Sequence, residues 1–273
     1  MPACVSNFAE HAIYPWTGPA ARTPCLSFLQ NPVNRHFLTL KNATFFLFLL
    51  FTSVPAAHAG EPSSNTLTAQ ERADGWRLLF NGKSASSWRV FGKDAPPASG
   101  WEVSQGWLIK RAGAKPGNIV SREEFSNFEF SWEWRMESGG NNGIKYFVDE
   151  TRGKLGHEYQ MLAKLEQKPS KGSTGGFYAV LAPADPPPVR FYPKINSSRI
   201  RVEANKVTHW LNGRKVLEYI CGSEDVLSNV ASSKFKKVAK FGEKLTARLM
   251  LTDHGSECGF RNLKIRELTA GSK

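Results

Sequence analysis

Phe128-Glu129-Phe130-Ser131-Trp132-Glu133-Trp134-Arg135-Met136-Glu137 decides the fold. Large apolar side chains alternate with polar ones at every step. On an extended chain, successive side chains point to opposite faces, so this alternation gives one apolar face and one polar face. A helix would need apolar residues at three- and four-residue spacing. Ten residues of strict alternation therefore predict a strand with one face in a core and the other in water.

Shorter segments of the same kind lie on both sides. Upstream are Trp76–Phe80, the hairpin-spaced pair 101–103 and 107–109, and 118–121. Downstream are 144–148, 157–162, 177–181, the meander 199–203, 206–211 and 214–219, then 245–251 and 259–268. Asn81-Gly82, Asn205 and Asn212-Gly213 supply turns between them. Helical patterning is confined to single turns near 122–125 and 224–228. Many short strands at regular spacing predict an all-β antiparallel β-sandwich or jelly roll.

The N-terminal part reads differently. Phe45-Phe46-Leu47-Phe48-Leu49-Leu50-Phe51 is an apolar run with Arg35, His36 and Lys41 before it and Ala57-His58-Ala59 after it. That is the pattern of a secretory signal, too short to span a bilayer, with cleavage expected after Ala59. The Pro-rich first 32 residues do not resemble the start of such a signal, and an initiation site near Val33 is expected instead. Residues 1–59 are thus expected to be removed, 60–72 to form a flexible polar leader, and 73–269 to form one β-sandwich domain. The expected location is secreted or periplasmic, with no membrane span after cleavage.

The whole chain has 36 basic and 24 acidic side chains. The basic excess is scattered through strand-like segments. Only Lys234, Lys236, Lys237, Lys240 and Lys244 cluster, and no nucleic-acid motif accompanies them, so that loop reads as solvated. Beyond the signal only Cys221 and Cys258 remain. They are either a disulfide or two buried thiols.

Polar residues on predicted strands are the chemical candidates. Glu133 and Arg135, Lys145, and Glu158 with Gln160 each occupy the polar phase of a strand. If those strands are neighbours, an acid, two cations and an amide meet. Gly139-Gly140-Asn141-Asn142-Gly143 is an amide-rich bend before Lys145 that suits the rim of a site. His254 follows Asp253 at a strand end, where a carboxylate can poise an imidazole as acid or base. His209-Trp210 offers a ring for stacking a sugar. The chain has no nucleophile elbow, phosphate loop, dinucleotide fingerprint or zinc-protease motif. It also lacks the paired carboxylates of retaining glucanases.

Taken together, Gly75–Lys83 with Trp88, Glu133-Trp134-Arg135, Asn142-Gly143-Ile144-Lys145-Tyr146, Glu158-Tyr159-Gln160, Asn196 with Arg199, His209–Gly213, Ser233-Lys234-Phe235, Asp253-His254-Gly255 and Phe260–Ile265 resemble the 3-keto-disaccharide hydrolase family. The resemblance runs from about Gly75 to Leu268. It implies a concanavalin A-like sandwich of the lectin and glucanase type, and an oligosaccharide or glycoside substrate. Three positions depart from the family's usual pattern: Ala163 where Asp is usual, Pro193-Lys194-Ile195 before Asn196, and Thr252 where Gln is usual.

A 3-keto group acidifies the proton on carbon 2. A single base can then start elimination of the glycosidic oxygen, and water can add afterwards. By this resemblance Glu158 is the expected base, and Lys145 and Arg135 stabilise the enolate oxygen. His254, oriented by Asp253, protonates the leaving group. Gln160, Asn142, Trp210 and His209 position the sugar. No cofactor is expected, and no ligand spacing supports a divalent ion near Asp253 or Glu158. The alternative from another class is a non-catalytic carbohydrate-binding module, with Ala163 and Thr252 as marks of lost chemistry.

Overall fold

A computed structural model describes residues 63–269. The expected signal, its cleavage site and residues 60–62 lie outside the described residues. In chain order the elements are α1 (Ala69–Ala73), β1 (Arg77–Leu78), β2 (Trp88–Val90), β3 (Trp101–Ser104), β4 (Trp107–Lys110), β5 (Ile119–Ser121), β6 (Phe128–Arg135), β7 (Asn141–Val148), β8 (His157–Leu162), β9 (Asn196–Glu203), β10 (Lys206–Leu211), β11 (Arg214–Ile220), α2 (Glu224–Ala231), β12 (Arg248–Leu251) and β13 (Cys258–Glu267). A large sheet runs β11-β10-β9-β6-β13-β4-β3, with β1 added on β13. A small sheet runs β2-β5-β12-β7-β8. The strand pairings are antiparallel, so the fold is the expected concanavalin A-like sandwich.

The core forms where the apolar phases of the two sheets meet. Phe128, Phe130, Trp132 and Trp134 of β6 face Ile144 and Tyr146 of β7 and Tyr159 and Met161 of β8, all buried. The Trp132 and Tyr159 rings meet edge to face at 4.9 Å. Burying one such side chain stabilises the fold by about 2–3 kcal/mol.

β6 and β7 do not pair, because the chain changes sheets between them. The corner is a turn closed by the Gly140 amide donating to the Glu137 carbonyl at 2.9 Å. Gly139 sits at φ +83°, and a Cβ on Gly140 would lie 2.9 Å from both the Glu137 carbonyl and Met136 Cβ. Gly139 N–H bonds the Ala163 carbonyl at 2.7 Å, and Ala163 N–H bonds the Gly140 carbonyl at 2.8 Å. Ala163 is thus a buried residue of this corner. From Phe128 to Trp134 on β6, and from Asn142 to Tyr146 on β7, the even-numbered side chains point into the core. The odd-numbered side chains of these two stretches therefore emerge on opposite outer faces of the sandwich.

Part of the expected flexible leader is folded. Thr68 and Glu71 form a reciprocal capping box that starts α1. Asn65 donates to the Gly106 carbonyl and accepts from Asn262 N–H, both at 2.9 Å. Residues 177–181 form only isolated bridges, one of which extends the small sheet past β8. Cys221 and Cys258 are buried free thiols, and burial pushes Cys221 up to about 12.

One buried polar chain crosses the core. His209 Nδ1–H donates to the Gly175 carbonyl at 2.8 Å, leaving Nε2 to accept from the Tyr146 hydroxyl at 2.8 Å. Tyr146 then accepts from Tyr219 at 2.6 Å, and Tyr219 accepts from His157 Nδ1–H at 2.8 Å. With both imidazoles neutral, no other set of protons satisfies every link. Desolvation pushes His157 down to about 3 and His209 down to about 4.

Both histidines are neutral when folded but gain a proton near pH 6.5 when unfolded. Their stabilisation is present above about pH 6.5 and is lost as pH falls toward about 4 and then about 3. Denaturant titrations should show a loss of about 2 kcal/mol per histidine between about pH 7 and about pH 5. The slope should be shallower in His209→Gln. An identical slope in that variant would contradict the assignment.

Candidate functional site

The β7–β8 ladder builds the site. Lys145 is the cross-strand partner of Glu158, and Gly143 that of Gln160. All four belong to the outward phase of the small sheet. Glu158 Oε2 lies 3.6 Å from Lys145 Nζ, and Oε1 lies 3.9 Å from His254 Nε2. The Glu158 side chain is only 8% exposed, whereas the His254 ring is 41% exposed. Lys145 Nζ also donates to the Lys154 carbonyl at 3.1 Å, which fixes its position over the strand. Among the described residues, the Glu158 carboxylate sits between two bases without accepting a hydrogen bond from either. A carboxylate so placed is close to positive charge yet keeps its lone pairs for an incoming proton.

Gly143 explains how the acid fits. A Cβ at that position would lie 2.4 Å from Glu158 Oε1, so the carboxylate rests directly on the glycine backbone. Beside it, Gln160 Nε2 donates to Asn141 Oδ1 at 2.9 Å. Asn141 is anchored in turn through its own N–H to Ser256 Oγ at 3.1 Å. The pairing leaves an amide donor of Asn141 and an amide carbonyl of Gln160 on the same outer face as Glu158.

His254 stands on the loop between β12 and β13. Asp253 does not touch its ring, contrary to the expected acid–histidine pair. Asp253 Oδ1 instead bonds Lys110 Nζ at 2.9 Å, and Oδ2 accepts from Gly117 N–H at 2.9 Å. Lys110 is fully buried and also donates to the His254 carbonyl. The pair therefore holds the backbone that carries His254. Sequence reasoning passed over Lys110 because β4 looks like a simple core strand ending in a lysine.

Four other expected residues lie elsewhere. Arg135 is on the outer face of the large sheet, since β6 and β7 belong to different sheets. Its guanidinium lies 4.3 Å from the Trp107 ring. Trp210 is on that same large-sheet face, with Arg199 4.0 Å above its ring. His209 is buried in the tyrosine–histidine chain. Asn142 is on the core face of β7, where its Oδ1 accepts from Gly143 N–H at 2.8 Å and from Thr252 Oγ at 3.0 Å. Its neighbour Asn141 occupies the outer phase instead. Thr252, itself buried, thus braces β7 at Asn142 and Gly143.

Tyr178, missed in the sequence, also borders Glu158, and Lys234 packs on its ring. Tyr178 N–H donates to the Glu158 carbonyl at 3.0 Å. Phe177 turns inward to stack on His157 at 4.3 Å, so Tyr178 turns outward. Lys234 Nζ lies 4.1 Å over the Tyr178 ring, so the lysine loop is not merely solvated. The available signals were Ser233-Lys234-Phe235 and the phase of Phe177-Tyr178. Among the described residues no group of three or more His, Cys, Asp or Glu is placed to hold a metal ion, and no helix is long and apolar enough to cross a membrane.

One outer face of an antiparallel sandwich thus carries an acid, two basic side chains and paired amides. Residues 75–266 match the 3-keto-alpha-glucoside-1,2-lyase-like domain, and the chain belongs to that family. It is a glycoside-cleaving enzyme of the hydrolase type. A 3-keto-disaccharide hydrolase from Bacteroides thetaiotaomicron is 30% identical over 234 residues, which cover 72% of this chain and 79% of that protein. A solved protein from Parabacteroides distasonis, described as a glycosyl hydrolase, is 31% identical with a TM-score of 0.65, covering 76% of this chain and all of that one. A second from the same organism shares the fold at 21% identity and a TM-score of 0.53, covering 71% and 99% of the two chains.

Two substitutions test the geometry. Gly143→Ala should displace the Glu158 carboxylate, lowering turnover at least ten-fold while costing about 1–3 kcal/mol of stability. Lys110→Met should leave Asp253 without its charge partner and cost about 3–5 kcal/mol. Near-normal turnover in the first variant, or an unchanged denaturation midpoint in the second, would contradict this arrangement.

Proposed function

We propose that this enzyme cleaves 3-keto-glycosides, 3-keto-disaccharides among them, by elimination followed by hydration. Glu158 removes the proton from carbon 2 of the keto sugar. The electron pair forms the enolate, and its negative charge develops on the carbon 3 oxygen near Lys145. The enolate re-forms the ketone as the carbon 1–oxygen bond breaks, and protonated His254 delivers its proton to the departing oxygen. Water then adds across carbons 1 and 2. Its hydroxyl joins carbon 1, its proton goes to His254, and Glu158, whose proton exchanges with solvent when the alcohol leaves and water enters, returns a solvent-derived proton to carbon 2. The sum is one glycoside plus one water giving a 3-keto sugar and an alcohol.

The observation that supports this reading most is Glu158 itself: a nearly buried carboxylate between Lys145 and His254 that accepts no hydrogen bond from either. A single base suffices here because the ketone makes the carbon acid. Ordinary glycosidases instead need two carboxylates, and no second acid stands opposite Glu158 among the residues described above. Gln160, Asn141 and Tyr178 are the groups that hold the sugar against Glu158. The signal-like segment ending at Ala59 supports action outside the cytoplasm, in the periplasm or beyond.

Glu158→Gln keeps the shape of the side chain and removes the base. On a 3-keto-disaccharide its turnover should fall by about 10²–10⁴ with an unaltered melting temperature. Wild-type-like turnover would remove Glu158 from the role. Binding of unoxidised glycans by the wild type, with no turnover of any 3-keto-glycoside, would instead favour a binding module.

A further inference from the structure

Arg135 is not part of the Glu158 site, yet its surroundings are unusual for a structural arginine. Its guanidinium lies over the Trp107 ring at 4.3 Å and the Tyr192 ring at 5.8 Å. Its cross-strand partner is Gly259, where a Cβ would come within 3.2 Å of Trp107 and 3.3 Å of Arg135 Nε. The glycine therefore makes room for the arginine–tryptophan stack. Among the described residues the five N–H donors of this guanidinium meet no acceptor. Its neighbours on the same face differ: Arg261 bonds Glu133, and Arg199, Arg201 and Arg266 all bond Glu129.

Arg135 lines a hollow together with Glu137, Tyr192 and Glu257. Tyr192 is 53% exposed. Glu137 and Glu257 also line a second hollow that continues past Gly140 to Ser256. The two hollows share Glu137 and Glu257 at the β6–β7 corner, and hydrogen bonds lead from Ser256 of the second one through Asn141 to Gln160 beside Glu158.

We propose that the Arg135–Tyr192 hollow is a distal sugar subsite, which extends the substrate of this enzyme beyond two sugar units. An exposed aromatic ring stacks on the apolar face of a pyranose. A flat guanidinium donates to ring hydroxyls, and the two carboxylates accept from them. The same two carboxylates disfavour an anionic ligand, so the bound unit is a neutral sugar. This proposal rests on the glycoside-cleaving reading. It gives Arg135 a binding role at the far end of the substrate rather than a part in the chemistry.

The test compares a 3-keto-disaccharide with the 3-keto-trisaccharide of the same linkage. Tyr192→Ala and Arg135→Ala should raise KM for the trisaccharide about ten-fold with kcat unchanged, the weight of one lost contact of about 1.4 kcal/mol. Both variants should leave the disaccharide unaffected. Tyr192 is an exposed loop residue, so its variant controls against misfolding. Equal effects on both substrates, or none on either, would overturn the subsite. If the wild type turns over neither substrate, calorimetry with unoxidised gluco-trisaccharides decides separately. Binding that Glu158→Gln retains and Tyr192→Ala loses supports the subsite, and no binding overturns it.

Discussion

The pairing of β7 with β8 is the constraint on which the site depends. It sets Lys145 opposite Glu158 and Gly143 opposite Gln160. A one-residue slip of β8 would turn Glu158 and Gln160 into the core and away from Lys145 and Gly143. The register is held by the inward side chains of the same strands. Ile144, Tyr146, Tyr159 and Met161 must remain buried, and Tyr146 must reach His209 and Tyr219. The apolar and hydrogen-bonded interior therefore fixes the outer face, which has few contacts of its own. Glu158 can stay without a hydrogen bond because its position comes from the ladder and from the glycine beneath it.

The two faces of the small sheet divide the titrating groups. Inside, His157 and His209 are held neutral by desolvation and are joined by a chain of hydrogen bonds through Tyr146 and Tyr219. They are structural bases and take no part in the chemistry. Outside, His254 keeps an open ring, and its position comes from its backbone. The buried Lys110–Asp253 pair holds that backbone in place. A charged pair in the interior thus serves the surface by setting where one loop ends.

Much of the fold was legible because alternation is a local property. Phe128–Glu137 alternates without a break, and Glu158 and Gln160 share a phase whatever their neighbours are. What the sequence did not carry was the partner of each strand. Arg135 and Lys145 both occupy polar phases and are close in the chain, yet the turn at Gly139-Gly140 sends them to opposite outer faces. Asn141 and Asn142 were exchanged because a glycine-rich bend gives no phase of its own. Asp253 beside His254 suggested a contact, but adjacent residues on an extended chain point apart. Lys110 looked like the end of a core strand. The Thr68–Glu71 capping box was readable in principle, but the segment around it is polar and short.

The direct test of the account is the fate of the hydrogen on carbon 2. Cleavage of a 3-keto-glycoside in deuterium oxide, followed by proton magnetic resonance, reports whether that hydrogen is lost to solvent. The account predicts one deuterium on carbon 2 of the released keto sugar with the wild type, above the enzyme-free background, and neither cleavage nor exchange with Glu158→Gln. Product that keeps its original hydrogen, or exchange that survives the loss of the Glu158 carboxylate, would contradict it.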